Sequence, residues 1–411
     1  MTILQINFYD LFSTGNIMLN IADVARKRGH EAYTASKYMK MSIDRHRFDP
    51  YHFYIGNRIV NTLHRYFSWI TDLQDCGSIF PTLSLIKRIE KLKPDIIHLH
   101  DILGWYLNID ILFSYLKKKK IPTVWTFHDC WAITGRCIYF DAIGCTRWQT
   151  GCGRCPQKRY MPGTWFFDLS AWNYNHKKRL FTSVENMTIV TPSVWLKELV
   201  KQSFLKSYKT IVINNGINLN VFKPTIGELY KKVKQLNSKI VLGVAATWSL
   251  RKGLDVFLKM DNELPEDFAI VLVGIESKEL PQNKRITAIR RTNNQSELAE
   301  IYSAATVFAN PTTEDNFPTV NLESLACGTP IVTYKTGGSP ESVDENTGIV
   351  IEKNNVQAFI SAVIDVANKG KEAYEHNCRQ KSLNYDMTKK FNDYVDLYER
   401  ILKNESSSNH T

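Results

Sequence analysis

Two carboxylates in the segment PTTEDNFPTVNLESLACGTP, at 311–330, have the spacing to bind a ligand rich in hydroxyl groups. Asp315 or Asn316 can cap a helix whose first turn suits Pro318, and Glu323 then lies inside that helix. At about 1.5 Å per residue the carboxylates of Asp315 and Glu323 are roughly 8–12 Å apart, so each could accept hydroxyls from a different part of one ligand, such as a sugar and a ribose. The free amides at the helix start add a site for an anion. A helix cap and an ordinary exposed glutamate are the structural alternative.

Four cysteines lie close together in the first half of the chain, with the spacing C-x7-C-x6-C-x2-C: Cys137, Cys145, Cys152 and Cys155. The last pair has a spacing familiar from zinc sites, so the four thiolates could hold a structural zinc ion. Reduced cysteines that only pack, and disulfides, are the other two interpretations. Disulfides are the least expected in a cytoplasmic protein.

The elements that must position these groups form two similar halves. In the first half a strand at 2–8 is followed by a turn, Ser13-Thr14-Gly15-Asn16, and by a helix that stops at Gly29. Further strands are predicted at 94–100 and 122–129, with a helix at 103–120 between them. In the second half the segment 210–217 leads in, and strands are predicted at 239–246, 268–274 and 306–310. Strands that alternate with helices predict two doubly wound α/β domains, with ligands at the carboxyl ends of the strands.

Composition excludes several classes of protein. The 411 residues are 44% hydrophobic and 23% charged, which is ordinary for a folded protein and unlike disordered, collagen-like or coiled-coil chains. No 18-residue stretch is both apolar and uncharged, and the first ten residues lack the pattern of a secretory signal, so the expected compartment is the cytoplasm. The net charge of +11 would attract nucleic acid, an anionic lipid leaflet or phosphorylated small molecules, or else reflects a solvated lysine-rich surface.

The segment 311–330 resembles the E-x7-E region of the retaining GT-B glycosyltransferases, specifically glycosyltransferase family 4. Asp315 stands where the family usually has its first glutamate, Glu314 comes just before it, and Glu323 is the second glutamate. The resemblance extends over about residues 2–400. It implies the GT-B fold, in which two Rossmann-like doubly wound domains face each other across a cleft.

The resemblance also implies a domain organisation. An N-terminal acceptor-binding domain is expected at 1–205, with the cysteine-rich segment as an insertion at about 130–160. A C-terminal nucleotide-sugar-binding domain is expected at 206–388. A helix at 389–403 would cross back to the first domain, and 404–411 would be a disordered tail.

In the second domain the resemblance implies a site for a nucleoside diphosphate sugar. Glu323 would accept the ribose hydroxyls, while Arg251 and Lys252, which follow the strand at 239–246, would neutralise the leaving diphosphate. Without the resemblance these two cations could simply be solvated. The sugar would be held by Glu314 or Asp315 together with Asn316, Phe317, Pro318 and Thr319. Retention of anomeric configuration is expected, with no cofactor for catalysis, and the absence of any Asp-x-Asp motif from the sequence agrees with a metal-independent transferase.

In the first domain the resemblance implies that His128, at the end of its strand, contacts the donor sugar near the reacting carbon. His100 with Asp101, and Asp129 next to His128, would lie on the acceptor side. A strand-end histidine with a purely structural hydrogen bond is the alternative. Gly15 would let the backbone approach the diphosphate closely.

Two stretches, 102–120 and 160–179, combine aromatic and basic residues and could dock on an anionic leaflet. A core helix and an acceptor loop are the alternatives. A lipid-linked acceptor fits the family and the charge, so the expected compartment is the cytoplasm, and a peripheral position on the inner face of the cytoplasmic membrane stays open.

The sequence thus favours a sugar transferase that builds a cell-surface polysaccharide or lipid-linked glycan. The first alternative is a nucleotide-sugar epimerase or phosphorylase of the same fold. The second is a zinc-containing nucleic-acid-binding protein, which the charge and the cysteines suggest but which leaves Asp315 and Glu323 unexplained. No nucleic-acid partner is therefore expected. A dinucleotide oxidoreductase is disfavoured because no G-x-G-x-x-G follows either first strand.

Overall fold

Parallel β-sheets form the centre of each half of the chain in a computed structural model that describes residues 1–40, 46, 49–160, 162–281 and 285–408. By their contacts the residues separate into two units. The first consists of Met1–Ile213 with Phe391–Thr411, and the second is Asn214–Lys390.

In the first unit the described strands form a seven-stranded sheet in the order β3-β2-β1-β4-β5-β6-β7. Their bounds are β1 Thr2–Asn7, β2 Glu31–Lys37, β3 His52–Ile55, β4 Ile96–Leu99, β5 Thr123–Thr126, β6 Met187–Thr191 and β7 Lys209–Val212. Every pair is parallel.

In the second unit the described strands form a six-stranded parallel sheet in the order β10-β9-β8-β11-β12-β13. Their bounds are β8 Lys239–Val244, β9 Phe268–Val273, β10 Ile286–Ile289, β11 Val307–Asn310, β12 Ile331–Tyr334 and β13 Gly348–Ile351. Both orders are those of a doubly wound fold, so the predicted pair of Rossmann-like sheets is confirmed.

Helices connect the strands, as parallel pairing requires. In the first unit they are α1 Phe12–Lys27, α2 Arg58–Thr71, α3 Ile79–Leu92, α4 Ile109–Lys119, α5 Ser170–Phe181 and α6 Val194–Gln202. In the second unit they are α7 Glu228–Lys234, α8 Leu254–Glu263, α9 Gln295–Ala304, α10 Thr319–Ala326, α11 Val356–Lys369 and α12 Glu372–Ser382. The last helix, α13 Met387–Ser408, starts in the second unit and belongs to the first from Phe391 onward. None of the helices described here combines the length and apolar character needed to cross a bilayer.

Four local expectations differ from the structure. Residues 209–212, expected to lead into the second domain, form β7 at the edge of the first sheet, because they continue its parallel pairing beside β6. The expected turn at 13–16 is the first part of α1, which already begins at Phe12. The C-terminal helix continues through 404–408, which the sequence assigns to a tail.

The fourth difference concerns the stretch 102–120. Its aromatic and aliphatic side chains are buried in the core of the first unit, among them Tyr106, Leu112 and Phe113. α4 therefore covers the sheet, as the structural alternative expected, and its apolar face is not available to a membrane.

Candidate functional site

The strand order of the second sheet reverses between β8 and β11, which lie side by side. The loops that follow these two strands, 245–253 and 311–318, therefore leave the sheet at the same edge. In doubly wound folds this switch point is where ligands bind. The basic and the acidic segments singled out from the sequence are these two loops.

A short ion pair joins the two loops. Nζ of Lys252 donates to Oδ2 of Asp315 at 2.6 Å, and both side chains are largely shielded from water. Lys252 ends a short 3-10 helix at Leu250–Lys252, and Gly253 follows it with a φ of +75°. A Cβ atom at Gly253 would lie 2.5 Å from the carbonyl oxygen of Pro311, so the close approach of the loops requires glycine here.

Arg251 connects the same loops through main-chain groups. Its Nη1 donates to the carbonyl oxygen of Glu314 at 2.9 Å, and its own carbonyl oxygen accepts from the amide of Thr313 at 2.9 Å. The two cations thus face the acidic segment from one side. A charged group of a ligand bound here would meet two cations and one carboxylate.

Asp315 and Glu314 have different surroundings, which bears on which of them could reach a sugar. The Asp315 side chain is 15% exposed, whereas Glu314 is buried at 4%. Gly337, with a φ of +54°, lies so close to the carbonyl oxygen of Asp315 that a Cβ atom there would be 1.7 Å away. This close contact restricts the main chain of the acidic loop. The carboxylate of Asp315 contacts Lys252.

The helix that follows is capped differently from the expectation. α10 begins at Thr319 with Pro318 at the N-cap, and no side-chain oxygen caps it. Asp315 and Asn316 lie too early in the loop for this role, so the prediction that one of them caps the helix was wrong. Asn316 is buried, and Phe317 packs against Tyr385 with ring centroids 5.7 Å apart.

Glu323, on the second turn of α10, accepts a hydrogen bond at Oε2 from the hydroxyl of Tyr302 at 2.9 Å. Burial raises the pKa of Glu323 to about 7, and the Tyr302 hydroxyl opposes the shift. The carboxyl group can therefore change protonation near neutral pH. Tyr302 lies near the end of α9, and the sequence contained no signal that its hydroxyl would meet Glu323.

Asn321 is a site-positioning residue that the sequence analysis missed. It accepts from Nδ2 of Asn310 at 2.8 Å and donates from its own Nδ2 to the hydroxyls of Ser339 and Ser342, each at 3.0 Å. These contacts tie α10 to the end of β11 and to the turn after β12. An asparagine on the buried face of an apolar helix, as in TVNLESLA, was the available signal.

In the first unit the two strand-end histidines meet. Nδ1 of His100 and Nε2 of His128 share a hydrogen bond of 3.1 Å, and Nε2 of His100 contacts Oε1 of Gln5 at 3.0 Å. Burial lowers the pKa of both imidazoles, and for His128 the charge of Asp101 opposes this. Both rings are therefore neutral near pH 7. His128 and His100 line a small cavity at the carboxyl ends of β4 and β5.

Asp101 and Asp129 line the same cavity. Oδ1 of Asp129 accepts from the amide of Trp131 at 2.8 Å. Burial, followed by the charge of Asp101, raises the pKa of Asp129 to about 8. A carboxyl group that is protonated near pH 7 can donate a hydrogen bond or a proton to a ligand in the cavity.

Gly15 lies within the first turn of α1, not in a loop. A Cβ atom there would meet the carbonyl carbon of Asp10 at 2.6 Å and the carbonyl oxygen of Tyr9 at 2.9 Å. The glycine therefore lets the helix start pack directly against the main chain that leaves β1. This edge is the carboxyl end of the first sheet, beside β4.

The four clustered cysteines are free thiols or thiolates. The Sγ atoms of Cys137 and Cys155 lie 3.9 Å apart, and Sγ of Cys152 accepts from the amide of Gly135 at 3.1 Å. Sulfurs that share one zinc ion are about 3.8 Å apart for bonds of about 2.3 Å. The pair Cys137–Cys155 has this separation. Among the described residues, sets of three potential ligand atoms within 4.8 Å of one another occur elsewhere, not among these four cysteines.

Two family models match the chain. Residues 14–221 match the model described as Glycosyltransferase Family 4, and residues 238–369 match the model described as Glycosyl transferases group 1. The first match alone covers half of the 411 residues.

Individual proteins resemble the chain at sequence identities between 16% and 27%. The "Putative colanic acid biosynthesis glycosyl transferase WcaC" of Escherichia coli K12 is 24% identical over 328 residues, 75% of this chain and 77% of WcaC. The "UDP-Gal:alpha-D-GlcNAc-diphosphoundecaprenol alpha-1,3-galactosyltransferase" of Escherichia coli is 27% identical over 227 residues, 50% of this chain and 58% of that enzyme. The crystal structure of Anabaena HepE in complex with UDP superposes with a TM-score of 0.67 and 16% identity, over 97% of this chain and 100% of HepE. At that identity the likeness concerns the fold alone.

Proposed function

The chain belongs to glycosyltransferase family 4 and has the GT-B fold, and from this premise we propose that it transfers a sugar from a nucleoside diphosphate sugar to a hydroxyl of a glycan or lipid-linked acceptor. The observation that carries the proposal is the pairing of Lys252 with Asp315 at the switch point of the second sheet. Cations held beside a carboxylate suit a ligand that has both a diphosphate and a sugar.

In the proposed mechanism the donor lies on the second unit. Arg251 and Lys252 stabilise the negative charge that grows on the leaving diphosphate, an electrostatic contribution of the oxyanion-hole type. Asp315 accepts hydroxyls of the donor sugar, and the amides around Asn316 to Thr319 add donors at the start of α10. Glu323 accepts the ribose hydroxyls in its ionised form.

His128 is proposed to lie near the reacting carbon, with His100, Asp101 and Asp129 on the acceptor side. His128 is neutral near pH 7 because burial lowers the pKa of its imidazole. Because Nε2 of His100 donates to Oε1 of Gln5, Nδ1 of His100 accepts from Nε2–H of His128. Nδ1 of a neutral His128 is then a hydrogen-bond acceptor, which suits a sugar hydroxyl. We propose retention of anomeric configuration, as expected for the family.

For the donor we propose a uridine diphosphate sugar, and for the acceptor a lipid-linked glycan. Support comes from the galactosyltransferase relative, which is named for UDP-Gal and a diphosphoundecaprenol acceptor, and from HepE, whose structure contains UDP. WcaC is named for colanic acid biosynthesis, which supports a role in building a cell-surface polysaccharide.

We propose that catalysis needs no metal, because the sequence has no Asp-x-Asp motif. A structural zinc ion at Cys137, Cys145, Cys152 and Cys155 is a separate proposal. Metal analysis of the purified protein tests it: we expect one equivalent of zinc in the wild type and none in a Cys152→Ser/Cys155→Ser variant. Metal-free wild-type protein would leave these residues as packing thiols.

The test of the proposed function is thermal unfolding of the pure protein against a panel of nucleotides and nucleotide sugars. A ligand at 100 times its dissociation constant should stabilise the protein by about 2.7 kcal/mol. Stabilisation by a uridine diphosphate sugar is the expected result, followed by glycoside formation when an acceptor is added. Epimerised or phosphorolysed sugar without an acceptor would instead support the alternative enzymes. Stabilisation by nucleic acid alone would contradict all of them.

A further inference from the structure

α2 presents its apolar face to solvent. Ile59, Leu63, Tyr66, Phe67 and Ile70 recur at helical spacing, and their exposed fractions range from 40% to 71%. In a globular protein such a stripe normally faces the core. In α2 the apolar face is therefore exposed and the polar face is buried.

The polar side of the helix faces inward and is held there by specific contacts. Asn61, His64 and Ser68 are buried. Nδ1 of His64 lies 2.8 Å from the hydroxyl of Ser78, and Nε2 accepts from the amide of Gly77 at 3.0 Å. A Cβ atom at Gly77 would be 2.4 Å from the His64 ring, so the imidazole fits closely in its place. Turning the apolar stripe inward would break these contacts.

The apolar surface continues beyond α2 onto the neighbouring loop. The amide of Trp165 donates to the carbonyl oxygen of Trp69 at 2.7 Å, and its ring centroid lies 6.2 Å from that of Tyr66. Phe166 and Phe167 follow, and both are more than half exposed. These residues belong to the stretch 160–179 that the sequence analysis singled out. The basic end of that stretch contributes less to the exposed surface, because His176 and Lys177 are buried.

The start of α3 adds further exposed side chains next to the His64–Ser78 contact. Ile79 is 50% exposed and Phe80 is 83% exposed. We call the exposed side chains of α2, the start of α3 and the loop the α2 face: Ile59, Leu63, Tyr66, Phe67, Ile70, Ile79, Phe80, Trp165, Phe166 and Phe167.

Cations predominate in the segments that form the α2 face, and two of the acids that follow these segments are paired, Asp72 with Arg136 and Glu90 with Lys119. The segments 57–71, 77–89 and 156–167 contain no aspartate or glutamate, whereas they contain the cations Arg58, Arg65, Lys87, Arg88, Lys158 and Arg159. Arg65 packs over Tyr66 and Trp69, with its guanidinium about 5 Å from each ring centre. An apolar, aromatic surface within a cationic surround is complementary to an anionic headgroup layer over hydrocarbon.

We propose that the α2 face docks this enzyme on an anionic lipid bilayer, with α2 parallel to the membrane and its apolar stripe inserted below the headgroups. This inference deepens the proposed function and rests on it in one respect, because a lipid-linked acceptor is presented at such a surface. The cations hold the phosphate groups of the lipids while the aromatic side chains lie at the boundary with the hydrocarbon.

The test is sedimentation of the full chain with vesicles, without donor or acceptor. One set contains phosphatidylcholine alone, and the other contains equal parts of phosphatidylcholine and phosphatidylglycerol. We expect binding to the anionic vesicles that weakens with added salt, because the cationic part of the attraction is screened. A Leu63→Ser/Phe67→Ser variant should bind about tenfold more weakly or worse, since two inserted side chains become polar.

Ile226→Ser is the matched control, because Ile226 is 74% exposed but belongs to the second unit. It should sediment like the wild type. An Arg58→Glu/Arg159→Glu variant should lose the preference for anionic vesicles while its circular dichroism and melting temperature stay unchanged, which keeps the test independent of folding.

Three results would overturn the proposal: wild type that ignores both vesicle types, equal binding by wild type and Leu63→Ser/Phe67→Ser, or a wild-type dimer in light scattering that this variant dissociates without any vesicle binding. The last would make the α2 face an interface between copies of the chain. Nucleotide-sugar binding is measured in the absence of vesicles, so its failure would contradict the proposed function and not the docking.

Discussion

Nζ of Lys252 lies 2.6 Å from Oδ2 of Asp315, and this contact joins the loops after β8 and β11. The two side chains carry opposite charges, so the contact holds the two loops together at the proposed donor site.

The first prediction concerns the leaving group. Lys252→Ala should lower kcat by about 100-fold, because the cation is needed most when the diphosphate gains charge. Donor affinity should change much less. Steady-state kinetics and titration with the donor measure the two effects, with Lys259→Ala, an exposed lysine of α8, as the control. An unchanged kcat would remove Lys252 from the leaving-group site.

The second prediction concerns the ribose. Glu323→Ala should weaken nucleotide-sugar binding about tenfold or more, since charge-assisted hydrogen bonds to two hydroxyls are lost. The fold should be preserved, because the Glu323 side chain accepts its hydrogen bond from a single hydroxyl, that of Tyr302. Calorimetric titration measures the affinity, and Glu266→Ala, an exposed glutamate, is the control. Wild-type affinity in Glu323→Ala would contradict the ribose assignment.

The third prediction follows from the pKa of Glu323, which burial raises to about 7. Below that pH the group is protonated and accepts hydroxyls poorly, so donor affinity should rise as the pH increases through about 7. The folded-state pKa is higher than the usual value of a glutamate, so this group makes the protein less stable as the pH rises from that value toward 7. Both dependences should disappear in Glu323→Gln. Persistence of the affinity change in this variant would assign the titration to another group.

The fourth prediction separates a clash from backbone strain. Gly253 and Gly29 both have a positive φ. A Cβ atom at Gly253 would lie 2.5 Å from Pro311, whereas a Cβ atom at Gly29 would have no neighbouring atom within 4 Å. Gly29→Ala should therefore cost only about 1 kcal/mol of unfolding free energy. Gly253→Ala should cost about 1–3 kcal/mol more and reduce activity, since Lys252 moves with the loop. Equal melting temperatures for the two variants would contradict the close contact.

The fifth prediction concerns the network below the acidic loop. Asn321→Ala leaves Asn310, Ser339 and Ser342 without their shared partner, so unfolding free energy should fall by about 2–4 kcal/mol. Thermal unfolding measures the loss, with Asn262→Ala in the exposed part of α8 as the control. A loss no greater than that of the control would show that the network contributes little to stability.

Much of the fold could be predicted because buried parallel strands are continuous apolar runs. KIVLGV and FAIVLV stand out in the sequence for this reason. β7 was assigned to the wrong half because its short run looks like any strand, and only its pairing with β6 decides the sheet. The end of α13 lacks an apolar pattern, so no sequence feature predicted its length.

The direction in which α2 faces was the least predictable feature. Its periodicity reveals an apolar stripe, but periodicity is the same whether the stripe faces core or solvent. The decision depends on His64 meeting Ser78 and Gly77, which is a tertiary contact. At the proposed donor site the acidic and basic residues could be picked out by their types, whereas Tyr302 and Asn321 act through contacts between different elements.

The first unit is built from both ends of the chain, and this sets an order for its folding during synthesis. Tyr398 contacts Nδ1 of His98 at 2.6 Å, and Tyr394 accepts from the hydroxyl of Thr126, both in the core of that unit. These tyrosines leave the ribosome only after the whole of Asn214–Lys390, which is a continuous segment with its own sheet. The second unit can therefore complete its core while the first still waits for its last helix. A chain released before Phe391 therefore contains the whole second unit and a first unit that lacks its last helix.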